Sequence, residues 1–227
     1  MLAKKYRSII VSISNPYKGL YTVEFKSLGG KFKYYPGQFL HLALDQNYDG
    51  TDQWPDSRCF SMQSNPSEET IRISYSVKGE FTKQMEDQLA VGTEVWLKLP
   101  YGDLFTQPHS KENTVFIAGG TGITPYLSLF TSSFFNEYVN PRIYLGYKSR
   151  SYNIYQNEMN SMDNTSMRIN IFYQDQDGII DIDQIRRENR SDSNFFISGP
   201  PVMIKTFKQA LIDSGVSASN VLTDDWE

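Results

Sequence analysis

The strongest chemical signal in the chain is a glycine-rich turn at Ala118–Pro125, with sequence AGGTGITP. It directly follows a segment typical of a strand and directly precedes a helical one. Glycines let a phosphate approach bare backbone, and a helix start offers free N–H groups and a positive dipole end. The spacing lacks the third glycine of the dinucleotide fingerprint and an acidic residue about 20 residues further on. The turn predicts phosphate binding, with a tight ligand-free turn as the alternative.

Two further turns precede predicted helices. Gly79–Thr82, with sequence GEFT, brings a glycine and a small hydroxyl to a helix start, which suits either a phosphate or a plain helix cap. Ser198–Met203, with sequence SGPPVM, ends a predicted parallel strand. Ligands of open α/β sheets bind beyond the carboxyl ends of the strands, so this turn predicts either a ligand contact or a proline-rich helix start.

A basic residue lies on a predicted strand with the sequence Arg58-Cys59-Phe60-Ser61. Because strand side chains alternate, Arg58 and Phe60 share one face, and Cys59 and Ser61 share the other. Strands that carry Arg, Phe and Ser are common, so this motif by itself favours an ordinary strand.

The two histidines do not form a recognisable site. His41 alternates with apolar residues in Phe39–Ala43, and His109 lies in a polar connection. Neither belongs to a catalytic triad or a set of metal ligands. We expect no catalytic role for either and no metal site.

The first hundred residues read as a series of strands separated by turn signals such as Asn15-Pro16 and Pro36-Gly37. The predicted strands are Lys5–Ser14, Leu20–Ser27, Gln38–Asp45, Arg58–Gln63, Thr70–Val77 and Glu94–Leu99. One helix, near Phe81–Leu89, interrupts the series. Six closely spaced strands indicate an antiparallel barrel or sandwich.

After Pro108, short apolar strands alternate with helical stretches. The predicted strands are Thr114–Ala118, Arg142–Gly146, Met167–Tyr173, Phe195–Ser198 and Asn220–Thr223. The predicted helices are Pro125–Tyr138, Ile154–Met162, Ile182–Arg190 and Val202–Ser214. This alternation is typical of a doubly wound parallel sheet. The polar stretch QPHSKEN at 107–113 marks the change, so we expect two domains, 1–109 and 110–227.

Composition excludes several classes of protein. Of 227 residues, 39% are hydrophobic and 21% charged, as in ordinary globular proteins. A single cysteine excludes an internal disulfide, a four-thiolate zinc site and a four-thiolate iron–sulfur cluster. The net charge of −4 argues against a nucleic-acid binder. No apolar run reaches the ~20 residues of a membrane helix, and the N-terminal apolar patch is too short for a signal peptide. We expect a soluble, cytoplasmic protein.

Taken together and in order, the motifs resemble the ferredoxin–NADP reductase family of flavoprotein electron transferases. The resemblance runs along essentially the whole chain. Its landmarks are PGQF at 36–39, RCFS at 58–61, GEFT at 79–82, LPYGDL at 99–104, GGTGITP at 119–125, GY at 146–147, SGPPVM at 198–203 and DDW at 224–226. It implies an N-terminal six-stranded antiparallel flavin-binding β-barrel and a C-terminal α/β doubly wound parallel sheet that binds a nicotinamide nucleotide.

The resemblance assigns the flavin to the barrel. It implies that Arg58 pairs with the flavin phosphate, a role that suits a guanidinium fork. Phe60 stands where the family usually has Tyr and would pack on the isoalloxazine. Ser61 would lie near flavin N5, the atom that accepts hydride. The residues matching the strand that lines the flavin and the second phosphate loop are Tyr75, Val77, Gly79, Phe81 and Thr82.

The nicotinamide nucleotide is assigned to the second domain. The residues matching its pyrophosphate loop and the flanking turn are Gly120, Thr121, Gly122, Gly199, Pro200 and Met203. Ser198 stands where members often have Cys close to the nicotinamide. Asp224 matches an acidic residue near the flavin, and Trp226 replaces an aromatic residue that can cover the flavin ring. The resemblance makes Ser198, Asp224 and Trp226 catalytic, together with Ser61.

Cofactor and donor are only partly specified. The Gly79–Thr82 loop suits the pyrophosphate of FAD, with FMN as the alternative. Lys148 and Arg150 would suit the 2′-phosphate of NADPH, whereas Asp175 and Asp177 would suit the ribose hydroxyls of NADH. The choice between NADH and NADPH stays open, as do the oligomeric state and whether the flavin is a prosthetic group or a substrate.

The leading hypothesis is an NAD(P)H-dependent flavoprotein reductase that passes hydride to flavin N5 and then electrons to a separate ferredoxin, flavodoxin or oxygenase component. Residues 1–35 carry seven Lys or Arg and one Glu, a basic surface that would steer an acidic partner, with solvated lysines as the alternative. Two other functions stay open. One is a reductase of free flavin or a small acceptor such as a ferric chelate or quinone, and the other is a non-catalytic flavin-containing electron-transfer subunit.

Overall fold

The structure is a computed structural model, which describes residues 1–160, 162 and 166–224. The chain divides into two compact units, Met1–Asp103 and Leu104–Glu227. The division precedes the polar stretch at 107–113 because Leu104 and Phe105 are buried in the core of the second unit. The assignment of one cofactor to each unit stays a prediction.

Six strands and one helix form the first unit. They are β1 (Lys4–Tyr17), β2 (Leu20–Ser27), β3 (Phe39–Ala43), β4 (Ser57–Ser61), β5 (Thr70–Ser76), α1 (Glu80–Gln88) and β6 (Glu94–Tyr101). The strand order is β4-β3-β6-β1-β2-β5, and every neighbouring pair is antiparallel. The predicted six-stranded antiparallel sheet is confirmed.

The outer strands β4 and β5 meet, so the sheet closes into a barrel. Just after β4, the Gln63 N–H donates to the Arg72 carbonyl at 2.8 Å. The Ser74 hydroxyl donates to Gln63 Oε1 at 2.6 Å. Across the same seam the rings of Phe60 and Tyr75 lie 6.1 Å apart between centroids. Closure therefore brings the 58–61 motif against the strand that leads to the Gly79–Thr82 turn.

The second unit is a five-stranded parallel sheet with helical connections. Its strands are β7 (Thr114–Gly119), β8 (Arg142–Tyr147), β9 (Arg168–Tyr173), β10 (Asn194–Ser198) and β11 (Val221–Thr223). Its helices are α2 (Thr124–Phe130), α3 (Gln156–Asn160), α4 (Gln174–Asp177), α5 (Ile182–Glu188) and α6 (Pro201–Asp213). The strand order β11-β10-β7-β8-β9 reverses at the central β7, which confirms the doubly wound sheet.

The helix predicted at Pro125–Tyr138 is shorter than expected. It ends at Phe130, and a separate 3-10 helix covers Ser133–Glu137. At the break, the hydroxyls of Thr131 and Ser132 donate to backbone carbonyls of the preceding turn at 2.8 and 2.7 Å. Such bonds compete with continuation of the helix. Among the described residues, no helix has both the length and the apolar character needed to cross a membrane.

Candidate functional site

Arg58 lies beside the start of α1. Its guanidinium carbon is 5.2 Å from the centre of the Phe81 ring. The two motifs are therefore neighbours, although about 20 positions separate them. Arg58 also pairs with Asp56 at 2.7 Å, and 54% of the Arg58 side chain is exposed. An ion pair this exposed contributes only ~0–1 kcal/mol, so an incoming anion can displace Asp56 at little cost.

The first turn of α1 presents backbone donors next to this cation. The Thr82 hydroxyl accepts from the N–H groups of Lys78 and Gly79 at 3.0 and 3.1 Å. It also donates to the Gly79 carbonyl at 3.0 Å. Rotation of one threonine side chain would release two N–H groups for a phosphate. Glu80 adds a negative charge to the same turn, which works against an anion there.

Aromatic rings line the region next to these donors. Phe60 and Tyr75 meet edge-on, with an interplanar angle of 64°, and Tyr75 stacks on Tyr21 at 5.3 Å. Burial raises the pKa of Tyr75, so its phenol stays neutral. Val77 follows Tyr75, and its N–H donates to the Gly19 carbonyl at 2.8 Å. The predicted flavin residues that the structure brings together are Arg58, Phe60, Tyr75, Val77, Gly79, Phe81 and Thr82.

Ser61 occupies a different position from these residues. It is the last residue of β4, lies opposite Phe39 and is buried. Strand alternation turns its side chain away from the face that carries Arg58 and Phe60. A role for Ser61 near flavin N5 stays a prediction.

The histidines are engaged in neutral hydrogen-bonded contacts. Nε2 of His41 lies 3.6 Å from Cys59 Sγ, and burial lowers the pKa of His41 and raises that of the thiol. Nδ1 of His109 lies 2.7 Å from the Gln107 carbonyl oxygen, and Nε2 lies 2.7 Å from the Tyr138 hydroxyl. Burial also lowers the pKa of His109. Packing and hydrogen bonding with these neighbours account for both histidines.

In the second unit, two glycine turns pack backbone against backbone. A Cβ on Gly122 would lie 2.5 Å from Gly199 Cα and 2.6 Å from the Ser198 carbonyl oxygen. Gly199 has a φ of +149°, and a Cβ there would lie 3.0 Å from Gly119 N. Neither position accepts a side chain. The turn after β7 and the turn after β10 are therefore joined at the carboxyl edge of neighbouring strands.

The joined turns leave one stretch of backbone open. Gly120 has a φ of +56°, and among the described residues no atom lies within 4 Å of the place where its Cβ would be. On the other side, a Cβ on Gly119 would lie 2.8 Å from Met203 Sδ and 3.1 Å from Pro200 Cδ. Bare backbone at this edge of a parallel sheet is where a phosphate can approach closely. The predicted nucleotide residues that the structure brings together are Gly120, Thr121, Gly122, Gly199, Pro200 and Met203.

Ser198 and Asp224 form a buried pair close to these turns. The Ser198 hydroxyl donates to Asp224 Oδ2 at 3.1 Å. The Asp224 N–H donates to the Ile197 carbonyl at 3.0 Å, which places Asp224 beside the end of β10. Tyr126 is also buried, and burial, followed by the charge of Asp224, raises its pKa. Two of the four predicted catalytic residues therefore lie together, and Trp226 lies outside the described residues.

The sequence and fold were compared with those of known proteins. Residues 116–209 match the family described as the oxidoreductase NAD-binding domain. The structure of a ferredoxin NADP+ reductase from Neisseria gonorrhoeae, with bound FAD and NADP, has a TM-score of 0.82 and 16% identity, covering 99% of this chain and 98% of that chain. The chain therefore shares the fold of this reductase, and its residues 116–209 resemble the oxidoreductase NAD-binding domain. The suspected resemblance is confirmed.

Other relatives of this reductase-like chain are longer proteins. Flavohemoprotein A of Dictyostelium discoideum is 24% identical over 214 residues, which are 87% of this chain and 54% of the relative. The reductase component of propane 2-monooxygenase from Mycolicibacterium smegmatis is 32% identical over 134 residues, which are 57% of this chain and 36% of the relative. The chain spans about half or less of the length of these relatives.

The structure shows the positions of two cationic side chains that the sequence did not reveal. Arg150 follows β8, yet its guanidinium carbon lies 5.5 Å from the ring centre of Tyr173, the last residue of β9. Lys148 Nζ lies 5.8 Å from the ring centre of Tyr152. In the sequence, Arg150 belongs to the connection after β8, one strand earlier than β9. The Arg150 side chain nevertheless reaches the end of β9. The spacing of Arg150 and Tyr173 along the chain does not indicate this contact.

Tyr21 was also missed. It pairs directly with Tyr75 in the β2–β5 ladder, and its hydroxyl donates to Glu86 Oε1 at 2.9 Å. Aromatic residues at 21 and 75 on two predicted strands were a usable signal. The register that pairs them depends on which strands are neighbours, and β2 and β5 are far apart in sequence.

A side chain at Gly122 is expected to destabilise the second unit. Gly122→Val should lower the free energy of unfolding by ~1–3 kcal/mol, because the new Cβ would overlap the backbone of residues 198–199. Urea denaturation measures the loss. Gly30→Val is the matched control, since among the described residues no atom lies within 4 Å of a Cβ at Gly30. Equal stability of the two variants would mean that the two turns do not make this contact.

Proposed function

We propose that the chain is an NAD(P)H-dependent flavoprotein reductase that delivers electrons to a separate acceptor. In this proposal the second unit binds NAD(P)H and the first unit binds the flavin. The observation that carries it is the backbone contact between Gly122 and Gly199, which leaves bare backbone at Gly120 within the stretch that matches the oxidoreductase NAD-binding domain. The NADP and FAD named for the Neisseria gonorrhoeae reductase support the same pair of ligands.

The residues of the first unit fit a flavin phosphate. Arg58 would form charge-assisted hydrogen bonds with it after leaving Asp56. The N–H of Gly79 and the hydroxyl of Thr82 would hold a second phosphate, which favours FAD over FMN. Phe60 and Tyr75 would pack against the ring system. A bound flavin supplies the redox chemistry, and the protein orients it and tunes its electronics.

The residues of the second unit would hold the donor. Backbone at Gly120–Gly122 would face its pyrophosphate. Ser198 would lie near the nicotinamide, and the Ser198–Asp224 bond decides what it offers there. Because the Ser198 hydroxyl donates its hydrogen bond to Asp224, Ser198 Oγ presents only its lone pairs to other groups. Asp224 thereby holds the hydroxyl in one orientation.

An anaerobic absorbance titration tests this function. We expect the purified protein to show flavin bands that bleach on addition of NAD(P)H. Bands that no nicotinamide nucleotide bleaches would favour a non-catalytic electron-transfer subunit. Oxidation of NAD(P)H only with added free flavin would favour a flavin reductase, and a protein inert even then would refute the proposal.

The variant Arg58→Ala tests the assignment of Arg58 to the flavin phosphate. It should weaken flavin binding by ~1–3 kcal/mol, the cost of losing a charged hydrogen-bond partner. Arg7→Ala is the control, because Arg7 pairs with Glu94 on another part of the barrel surface. Equal flavin content in the two variants would contradict the assignment of Arg58.

We further propose NADPH as the donor. Lys148 and Arg150 rest on tyrosine rings, and among the described residues neither has an acidic partner. Of the two acids that would suit NADH, Asp177 is already engaged, because its carboxylate accepts the Tyr173 N–H at 2.9 Å. Two cations that pair with no acidic side chain in the described part of the chain favour a phosphate over ribose hydroxyls. The NADP bound in the Neisseria gonorrhoeae structure supports this choice.

Arg150→Leu should therefore separate the two nucleotides. We expect KM for NADPH to rise about tenfold or more, since loss of one charged pair is worth ~1.4 kcal/mol or more, and KM for NADH to stay unchanged. Arg168→Leu is the control, because Arg168 is exposed at the opposite end of β9. Steady-state kinetics with each nucleotide give the result. A wild-type preference for NADH, or equal effects on both donors, would contradict NADPH.

For the acceptor we propose an acidic protein carrier. Residues 1–35 have a charge of 7 − 1 = +6, and Lys4, Lys26 and Lys33 are exposed. Among the described residues these three lysines form no ion pair. The reductase component of propane 2-monooxygenase is a relative whose name indicates a separate partner. Arg7 is paired with Glu94 and contributes less.

Electrostatic steering makes the acceptor rate depend on salt. The kcat/KM for an acidic ferredoxin should fall about tenfold or more from low to high ionic strength. The Lys26→Glu/Lys33→Glu variant should show a lower value and a weaker salt dependence. Reduction of a neutral quinone serves as the control and should respond to neither change. Salt-independent reduction of the ferredoxin would contradict the basic docking surface.

A further inference from the structure

Behind Tyr75, a series of contacts leads from β5 to α1. The ring of Tyr21 stacks on that of Tyr75 with centroids 5.3 Å apart and an interplanar angle of 14°. The Tyr21 hydroxyl donates to Glu86 Oε1 at 2.9 Å, and Lys83 donates to Glu86 Oε2 at 2.9 Å. Glu86 lies on α1, whose first turn offers the phosphate donors. The contacts therefore join the aromatic wall to the phosphate turn.

The hydrogen bond in this series is charge-assisted. Glu86 accepts hydrogen bonds from Lys83 and Tyr21, and these bonds lower the pKa of Glu86. Its carboxylate is therefore ionised at neutral pH. The bond to Glu86 raises the pKa of Tyr21, so the phenol keeps its proton. Bonds of this kind are shorter and stronger than neutral ones. They fix the direction of the Tyr21 ring relative to α1.

The β-ladder accounts for the position of Tyr21. Tyr21 and Tyr75 are directly opposed in the antiparallel β2–β5 pair, and opposed side chains share one face. On its other side, Tyr75 meets Phe60 edge-on at 6.1 Å. With a ring on each side, Tyr75 has little room to change its rotamer. Its orientation is thus set by Tyr21, which in turn is held by Glu86.

We propose that Tyr21 and Glu86 are positioning residues of the flavin site. They hold the Tyr75 ring and the Gly79–Thr82 turn in one geometry, so that the ring system and the phosphates of one flavin are bound together. The inference rests on the proposed function, in which Tyr75 and that turn contact the flavin. In this proposal Tyr21 acts through Tyr75, on which its ring stacks.

Three variants separate the hydrogen bond from the ring stack. Tyr21→Phe keeps the ring and removes the bond, Glu86→Gln removes the charge, and Tyr21→Leu removes the stack. Tyr35→Phe is the matched control, since the Tyr35 side chain is exposed. We expect the Kd for FAD to rise about threefold in the first two variants and about tenfold in Tyr21→Leu, with no change in the control. Fluorescence quenching on FAD titration measures Kd.

Two properties of the bound flavin distinguish positioning from mere stability. The visible circular dichroism of the flavin should change in Tyr21→Phe and Tyr21→Leu, because the ring that packs on it moves. The reduction potential should become more positive in Glu86→Gln, because an anion near the flavin disfavours the added electrons. Variants that only lose stability would keep both properties in the folded fraction.

The outcomes have different meanings. Tyr21→Phe and Glu86→Gln with the FAD affinity, dichroism and potential of Tyr35→Phe would overturn the positioning role. If Tyr21→Leu does not fold, those two conservative variants decide the question. A wild-type protein that binds no flavin under any condition would instead overturn the proposed function itself.

Discussion

The backbones of two turns are in contact at the carboxyl ends of β7 and β10, and the candidate site of the second unit depends on that contact. Gly122 and Gly199 approach so closely that a Cβ on the former would lie 2.5 Å from the Cα of the latter. The parallel pairing of Ser198 with Ala118 brings the two turns level with each other. Two strand-to-helix turns thus merge into one edge of bare backbone, the kind of place where a nucleotide phosphate can approach.

The first unit reaches a similar result by closing a sheet. Its seam between β4 and β5 carries Phe60 to Tyr75, and the chain after β5 turns directly into α1. Arg58 therefore meets Phe81, and a cation, helix donors and aromatic rings lie side by side. The exposed pair of Arg58 with Asp56 is weak, so these groups are available to an anion without a large loss of stability.

Two residues differ from the motifs that the sequence resembles, and each has a defined neighbour. Ser198 stands in place of the frequent Cys, and its hydroxyl donates a hydrogen bond to the buried Asp224. Phe60 replaces the frequent Tyr and keeps the ring, while the phenol nearest to it belongs to Tyr75 on the neighbouring strand.

The sequence by itself determined the two-part architecture, because strand alternation and strand–helix alternation are local patterns. It also determined where the glycine turns lie, since Gly120, Gly122 and Gly199 meet the backbone requirements of those turns. The tertiary structure alone decided which distant residues meet. Arg150 reaches Tyr173, Tyr21 faces Tyr75, and Ser198 donates a hydrogen bond to Asp224 because of strand order and register. Those contacts join residues far apart along the chain, and no short pattern encodes a pairing between segments.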